Sequence, residues 1–141
     1  MTTPSPAALR ALIDQVFAQV INAHCPERAS AFYRADYVQH NPLVAQGLAG
    51  VQQLLAVLNQ AFPDLHGEIL FGLAENDRVM VQVQWTGTHL GDFFGLPPTA
   101  KPIHFCSAET FRIQDGLIAE HWDVVDNVDM QVALGLLTRP G

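Results

Sequence analysis

Basic residues are scarce in this chain of 141 residues: 7 Lys+Arg stand against 14 Asp+Glu, for a net charge of -7. No stretch gathers them into the footprint that a phosphate backbone or an anionic bilayer requires, so neither nucleic acid nor membrane is an expected partner. Cysteine is scarcer still. Cys25 and Cys106 lie in unlike contexts and form neither a Cys-x-x-Cys pair nor a zinc-type spacing, so both are expected as reduced, mostly buried thiols. No apolar run approaches the length of a membrane span, and the first ten residues lack a basic start followed by an apolar stretch, which leaves a cytoplasmic protein as the default expectation. A Gly-rich phosphate cradle after a strand is also missing, as is any internal repeat, which argues against a nucleotide-binding α/β domain. What the chain does have is apolar content. Hydrophobic residues make up 49% and the mean hydropathy is +0.15, high for so few charges, which favours a lined pocket or a buried interface.

Ser5 before Pro6 reads as an N-cap with proline at the first helical position. Leu9, Leu12, Ile13, Val16, Phe17, Val20 and Ile21 then recur at helical spacing, predicting a core-facing helix. Pro26 ends that helix or opens a short second one through Phe32 and Tyr33. Tyr37 to Pro42 reads as an extended segment closing on a turn. A third helix is expected after Gly50, with Val51, Leu54, Leu55, Leu58 and Phe62 on one stripe and Pro63-Asp64 as its stop.

The second half changes period. Glu68 to Leu73, Arg78 to Thr88, Ile103 to Ile113 and Leu117 to Val125 interleave β-branched and aromatic residues with polar ones, predicting four strands. Glu75-Asn76-Asp77 and Gln114-Asp115-Gly116 supply hairpin turns. The loop from Gly87 to Lys101, rich in Gly and Pro, is longer than a hairpin needs and of the kind that borders sites. Helices first and a meander afterwards predict one α+β domain over 1–141, with about three N-terminal helices packed on one face of a curved antiparallel sheet that leaves a concave space.

Thr86 to Lys101, Glu109 to Asp126, Tyr37 to Pro42 and Leu134-Gly135 together resemble the SnoaL-like polyketide cyclase family over nearly the whole chain. The resemblance implies the cone-shaped fold shared with nuclear transport factor 2 and ketosteroid isomerase, a curved antiparallel sheet and helices around an apolar pocket. It also implies a cofactor-independent and metal-independent enzyme in which an acidic residue works as general acid/base on an intramolecular aldol closure. The aspartate four residues beyond the tryptophan, Asp126, is the position that matches.

An aldol closure needs a base for a proton α to a carbonyl and an acid for the developing alkoxide, and one carboxylate can serve both. Burial in an apolar cavity would bring its pKa toward working pH. Asp126 is thus the expected proton shuttle, with capping of a short C-terminal helix as its structural alternative. His40 is a candidate at the cavity mouth as a proton carrier or donor to a carbonyl, with a satisfied histidine anchoring the turn as its structural alternative. Trp122 and Phe111 are expected to wall the pocket or fill the core, and Tyr37 and His89 to contact substrate; for His89 and Asp92 in the long loop a solvated loop is the main expectation and gating of the pocket the alternative.

Arg112 and Glu120 face each other across the Asp115-Gly116 hairpin and suit a cross-strand ion pair. With a two-residue turn Ile113 pairs with Ile118 and Glu109 with Trp122; a bulge slips this by one, so Glu109 and Arg112 are equal candidates for the pocket. His40, His104, His121 and Asp123 lack metal-ligand spacing, so no metal is expected. The expected ligand is a small apolar molecule bearing a carbonyl, and the expected assembly is a homodimer. The rival readings are a non-catalytic binder of a small hydrophobic ligand and a homodimeric interaction module of the same fold.

Overall fold

In the computed structural model, which describes residues 4–141, Ser5 accepts a hydrogen bond from the Ala8 N–H and opens helix α1, Pro6–Val16. The helix continues through one π turn, Phe17–Ile21, and a 3-10 turn follows at Pro26–Ala31. Strand β1 is Tyr33–Gln39, helix α2 Gly47–Ala61, and strands β2 to β5 are His66–Glu75, Arg78–Thr88, Pro102–Gln114 and Leu117–Val125. A short helix α3, Asn127–Ala133, follows. The expected α+β architecture and the two hairpins are present. Asn76, Asp115 and Gly116 take the positive φ that tight hairpin turns demand.

The sheet order is β1-β5-β4-β3-β2. Its last four strands pair antiparallel, but β1 lies parallel to β5, with Gln39 beside His121. This corrects the all-antiparallel expectation: the extended segment begins earlier than Tyr37 and is a sheet edge. The chain between β1 and β5 contains α2 and two hairpins, ample for the crossover that a parallel pair needs. Helix α2 also begins before Gly50. Gly50 is fixed there by close approach, since a Cβ would stand 1.9 Å from the Ala45 carbonyl oxygen.

The helices pack on one face of the sheet. Leu9, Ile13, Val16, Phe17 and Val20 bury against Val79, Val81, Val83, Phe111, Ile113 and Ile118. Along β4 the inward positions are Ile103, Phe105, Ser107, Glu109, Phe111 and Ile113, all buried. The strand's period of two carries Ser107 and Glu109 inward because aromatic residues on both sides fix the register. A buried carboxylate on the inner face is the outcome. Cys25 and Cys106 are free thiols, half-buried rather than mostly buried.

Candidate active site

Strand β5 brings partners to Glu109 through one irregularity. Ile113 pairs with Ile118 across the two-residue turn, but Arg112 pairs with Glu120, so Ala119 is bulged and every later pair is displaced. Glu109 therefore faces Asp123, Phe111 faces His121, and Trp122 faces Thr110. Both sequence alternatives contribute, the tight turn and the bulge. Glu109 goes inside with His121 and Asp123, and Arg112 goes outside with Trp122.

Within the inner face Glu109 Oε2 stands 2.6 Å from His121 Nε2, and Glu109 Oε1 accepts from the Ser107 hydroxyl at 2.7 Å. The Ser107 oxygen accepts from the Trp85 indole N–H at 2.8 Å. On the other side of the imidazole, Nδ1 meets Gln39 Oε1 at 2.9 Å, and the Gln39 amide nitrogen donates to the Tyr37 hydroxyl oxygen at 3.0 Å. Asn41 ties the cluster to the turn after β1: its side-chain amide donates to Asp123 Oδ2 at 3.0 Å. Glu109 and His121 side chains keep only 11% and 13% of their exposure. A continuous polar network thus runs through otherwise apolar surroundings, each member held by at least one fixed partner.

Asp123 is the member with a free hand. Oδ2 is held by Asn41, whereas Oδ1 has no hydrogen-bond partner in this network. Burial pushes its carboxyl above the ordinary aspartate range, and the Glu109 charge adds to this, against the opposing Asn41 hydrogen bond and His121. Tyr37 and Tyr33 are likewise raised, first by burial, so both phenols stay neutral. Glu109, His121 and Asp123 each bring one donor atom within 4.8 Å of the others, a set able to hold a divalent ion. The direct Glu109–His121 bond satisfies both groups without one. His40 and His104, weighed with His121 and Asp123 in the sequence, are exposed residues outside this set.

The other expected site residues lie elsewhere. Asp126 is exposed and accepts from the Asp129 N–H at 3.0 Å, the N-cap of α3. It is not brought to the Glu109 cluster. His40 is on the outer face, stacked on Trp122 with ring centroids 4.8 Å apart, and bonded to Glu120 at 2.6 Å. Arg112 completes the cross-strand pair with Glu120 at 2.8 Å, and Arg78 lies over the Trp122 ring. The Arg112 and His40 hydrogen bonds hold the Glu120 carboxyl below its usual range. Trp122 thus leaves the pocket wall for the outer face, the direct result of the Ala119 bulge. Phe111 fills the core. His89, expected in contact with substrate, is wholly buried; its Nδ1 accepts from the Thr99 N–H and its ring packs against Phe62 and Phe93, pinning the long loop. The two described depressions, about 490 Å³ beside Leu73, Arg78 and Met80 and about 230 Å³ beside Asp126, both border the outer face rather than the helix-covered one.

Sequence reasoning did not single out His121 and Asp123 as the inner-face neighbours of Glu109, nor Gln39, Asn41, Ser107 and Trp85 as their hydrogen-bond partners. The inward alternation of β4 was a usable signal for Ser107 and Glu109. Nothing in the sequence marked the bulge.

The family model for SnoaL-like polyketide cyclase matches residues 11–134. AclR, a candidate hydroxylase from Streptomyces galilaeus, is 31% identical with a TM-score of 0.85, covering 96% of this chain and 89% of its own. IdmH, a candidate polyketide cyclase from Streptomyces antibioticus, is 26% identical with a TM-score of 0.76, covering 90% and 98%. TsrD from Streptomyces laurentii shares the fold at a TM-score of 0.87 with 24% identity, covering 95% and 99%. No curated protein matches by sequence.

Proposed function

The chain belongs to the SnoaL-like polyketide cyclase family, and from that membership we propose a cofactor-independent acid–base enzyme acting on a small apolar carbonyl compound, with Asp123 as its base. One observation carries this reading: a half-buried carboxylate with a raised pKa, and with one oxygen uncommitted among the described residues, stands beside a Glu109–His121 hydrogen bond of 2.6 Å. Asp123 Oδ1 takes a proton from the carbon α to a carbonyl. The resulting enolate carbon attacks a second carbonyl, forming the C–C bond and an alkoxide. Asp123 returns the proton to that alkoxide, so atoms and charge balance over the cycle. The Glu109–His121 pair, buried next to it, sets the field in which Asp123 changes charge.

The outer sheet face supports a second element of the proposal. Phe71, Leu73, Met80 and Val124 are exposed there, which suits pairing with a second copy of the chain.

The test uses polycyclic keto esters with the wild type, Asp123→Asn and Asp126→Asn. Loss of Asp123 should lower turnover by about 10²- to 10⁴-fold. Asn is as good an N-cap as Asp, so Asp126→Asn should retain near wild-type turnover and folding. Loss in Asp126→Asn with turnover retained in Asp123→Asn would return the base to Asp126. Binding by wild type without any product would replace the enzyme with a carrier.

A further inference from the structure

The orientation of the Gln39 side chain is fixed independently of the histidine it touches. The backbone N–H of Asn41 can only donate, and it meets Gln39 Oε1 at 2.9 Å. The amide nitrogen therefore lies on the other side, where it donates to Tyr37. His121 Nδ1 meets that same Oε1 at 2.9 Å. An amide oxygen has no proton to give, so Nδ1 must carry one.

At the far side of the ring, Nε2 faces Glu109 Oε2. The Ser107 hydroxyl accepts from Trp85 and so gives its own proton to Glu109 Oε1. That leaves one proton for the Oε2–Nε2 contact, whichever atom it sits on.

We infer that Gln39 is a positioning residue that fixes His121 with its proton on Nδ1, so that Glu109 and His121 hold one proton between them and Asp123 is the carboxylate left to change charge. The inference deepens the acid–base reading of this cluster and rests on it. Two forms of the pair are allowed: imidazolium with carboxylate, or neutral imidazole with carboxylic acid. They interconvert by breaking one N–H and forming one O–H, with no proton gained or lost. The third form, a neutral ring protonated on Nε2, would set the bare Nδ1 lone pair against those of Gln39 Oε1. Gln39 is itself immobilised. Its backbone N–H donates to Gln46 Oε1 at 2.9 Å and its carbonyl accepts from the Gln46 amide at 2.7 Å, clamping β1 to the start of α2. The other titratable groups around the ring are Asp123 on β5 and the neutral phenols Tyr33 and Tyr37 on β1. The two allowed forms of the pair carry the same net charge beside Asp123.

The experiment is nitrogen NMR of histidine-labelled protein, with His121 assigned by His121→Gln, on wild type, Gln39→Leu and Gln39→Glu. In the wild type, Nδ1 should carry a proton. Gln39→Leu removes the acceptor and should populate the neutral Nε2–H form, with turnover falling on the order of 10²-fold. Gln39→Glu restores an acceptor and should restore the Nδ1 proton. A neutral Nε2–H ring in the wild type would overturn the inference, as would Gln39→Leu leaving the tautomer unchanged; the wild-type spectrum decides even if a variant fails to fold. The tautomer is read without substrate, so its failure is distinct from failure of the proposed reaction, which would show as wild type without turnover.

Discussion

Asp123 and Asp126 lie on one short stretch of chain, yet the first is half-buried beside Glu109 and His121 while the second is solvated at a helix start. Burial is the largest cause that lifts the Asp123 carboxyl above its ordinary range. The raised Asp123 carboxyl favours its proton more in the folded protein than in the unfolded chain. Its contribution to stability is therefore complete below the unfolded aspartate pKa and lost as pH rises through the folded value. Asp123→Asn should accordingly be more stable than the wild type at neutral pH, with the difference shrinking on acidification; thermal melts at several pH values would show it. A variant less stable at neutral pH would mean that the charged Asp123–Asn41 bond outweighs the burial cost. At this scale the sequence was partly legible. Glu109 could be placed inside by the alternation of Phe105, Ser107, Glu109 and Phe111, but His121 and Asp123 could not, because their face depends on a residue that makes no pattern of its own.

That residue is Ala119, and its effect belongs to the element. One bulged position turns β5 over, trading Trp122 for His121 and Asp123 on the inner face. Helix α1 needed no such detail: its apolar stripe and Ser5-Pro6 start are local, and both appear where the spacing put them. Strand β1 was seen only in part because its pairing with β5 is fixed by tertiary contact rather than by its own alternation. The end of β3, where the long loop starts, is held by a tertiary contact to the turn after α2. Asp64 accepts from the Thr88 N–H at 2.6 Å and from the Thr88 hydroxyl at 2.7 Å. These bonds hold its carboxyl below the usual range, so their contribution is present above the unfolded aspartate pKa and fades as pH falls through the folded value. Asp64→Ala should cost about 1–2 kcal/mol, since the pair is partly solvated, and lower Tm by roughly 3–8 °C. The same melts at low pH should show a smaller gap, and a gap independent of pH would assign the loss to packing instead.

For the whole molecule, the sheet divides two environments. The helix-covered face holds the core and the Glu109 cluster, and the outer face carries Phe71, Leu73, Met80 and Val124 together with the Arg112–Glu120–His40 chain. With a net charge of -7, copies repel at long range, so association depends on apolar contact and should strengthen with salt. Light scattering should give a dimer for the wild type and a monomer for Leu73→Glu, with the latter still folded. A monomeric wild type would remove the second copy from the proposal without touching the active site.

The central claim is that Asp123 exchanges a proton with carbon. The most direct measurement is deuterium wash-in at the α carbon of a bound keto ester in heavy water, followed by proton NMR. Exchange catalysed by the wild type and lost in Asp123→Asn, with Asp126→Asn unchanged, is the expected result; equal exchange by wild type and Asp123→Asn would contradict it.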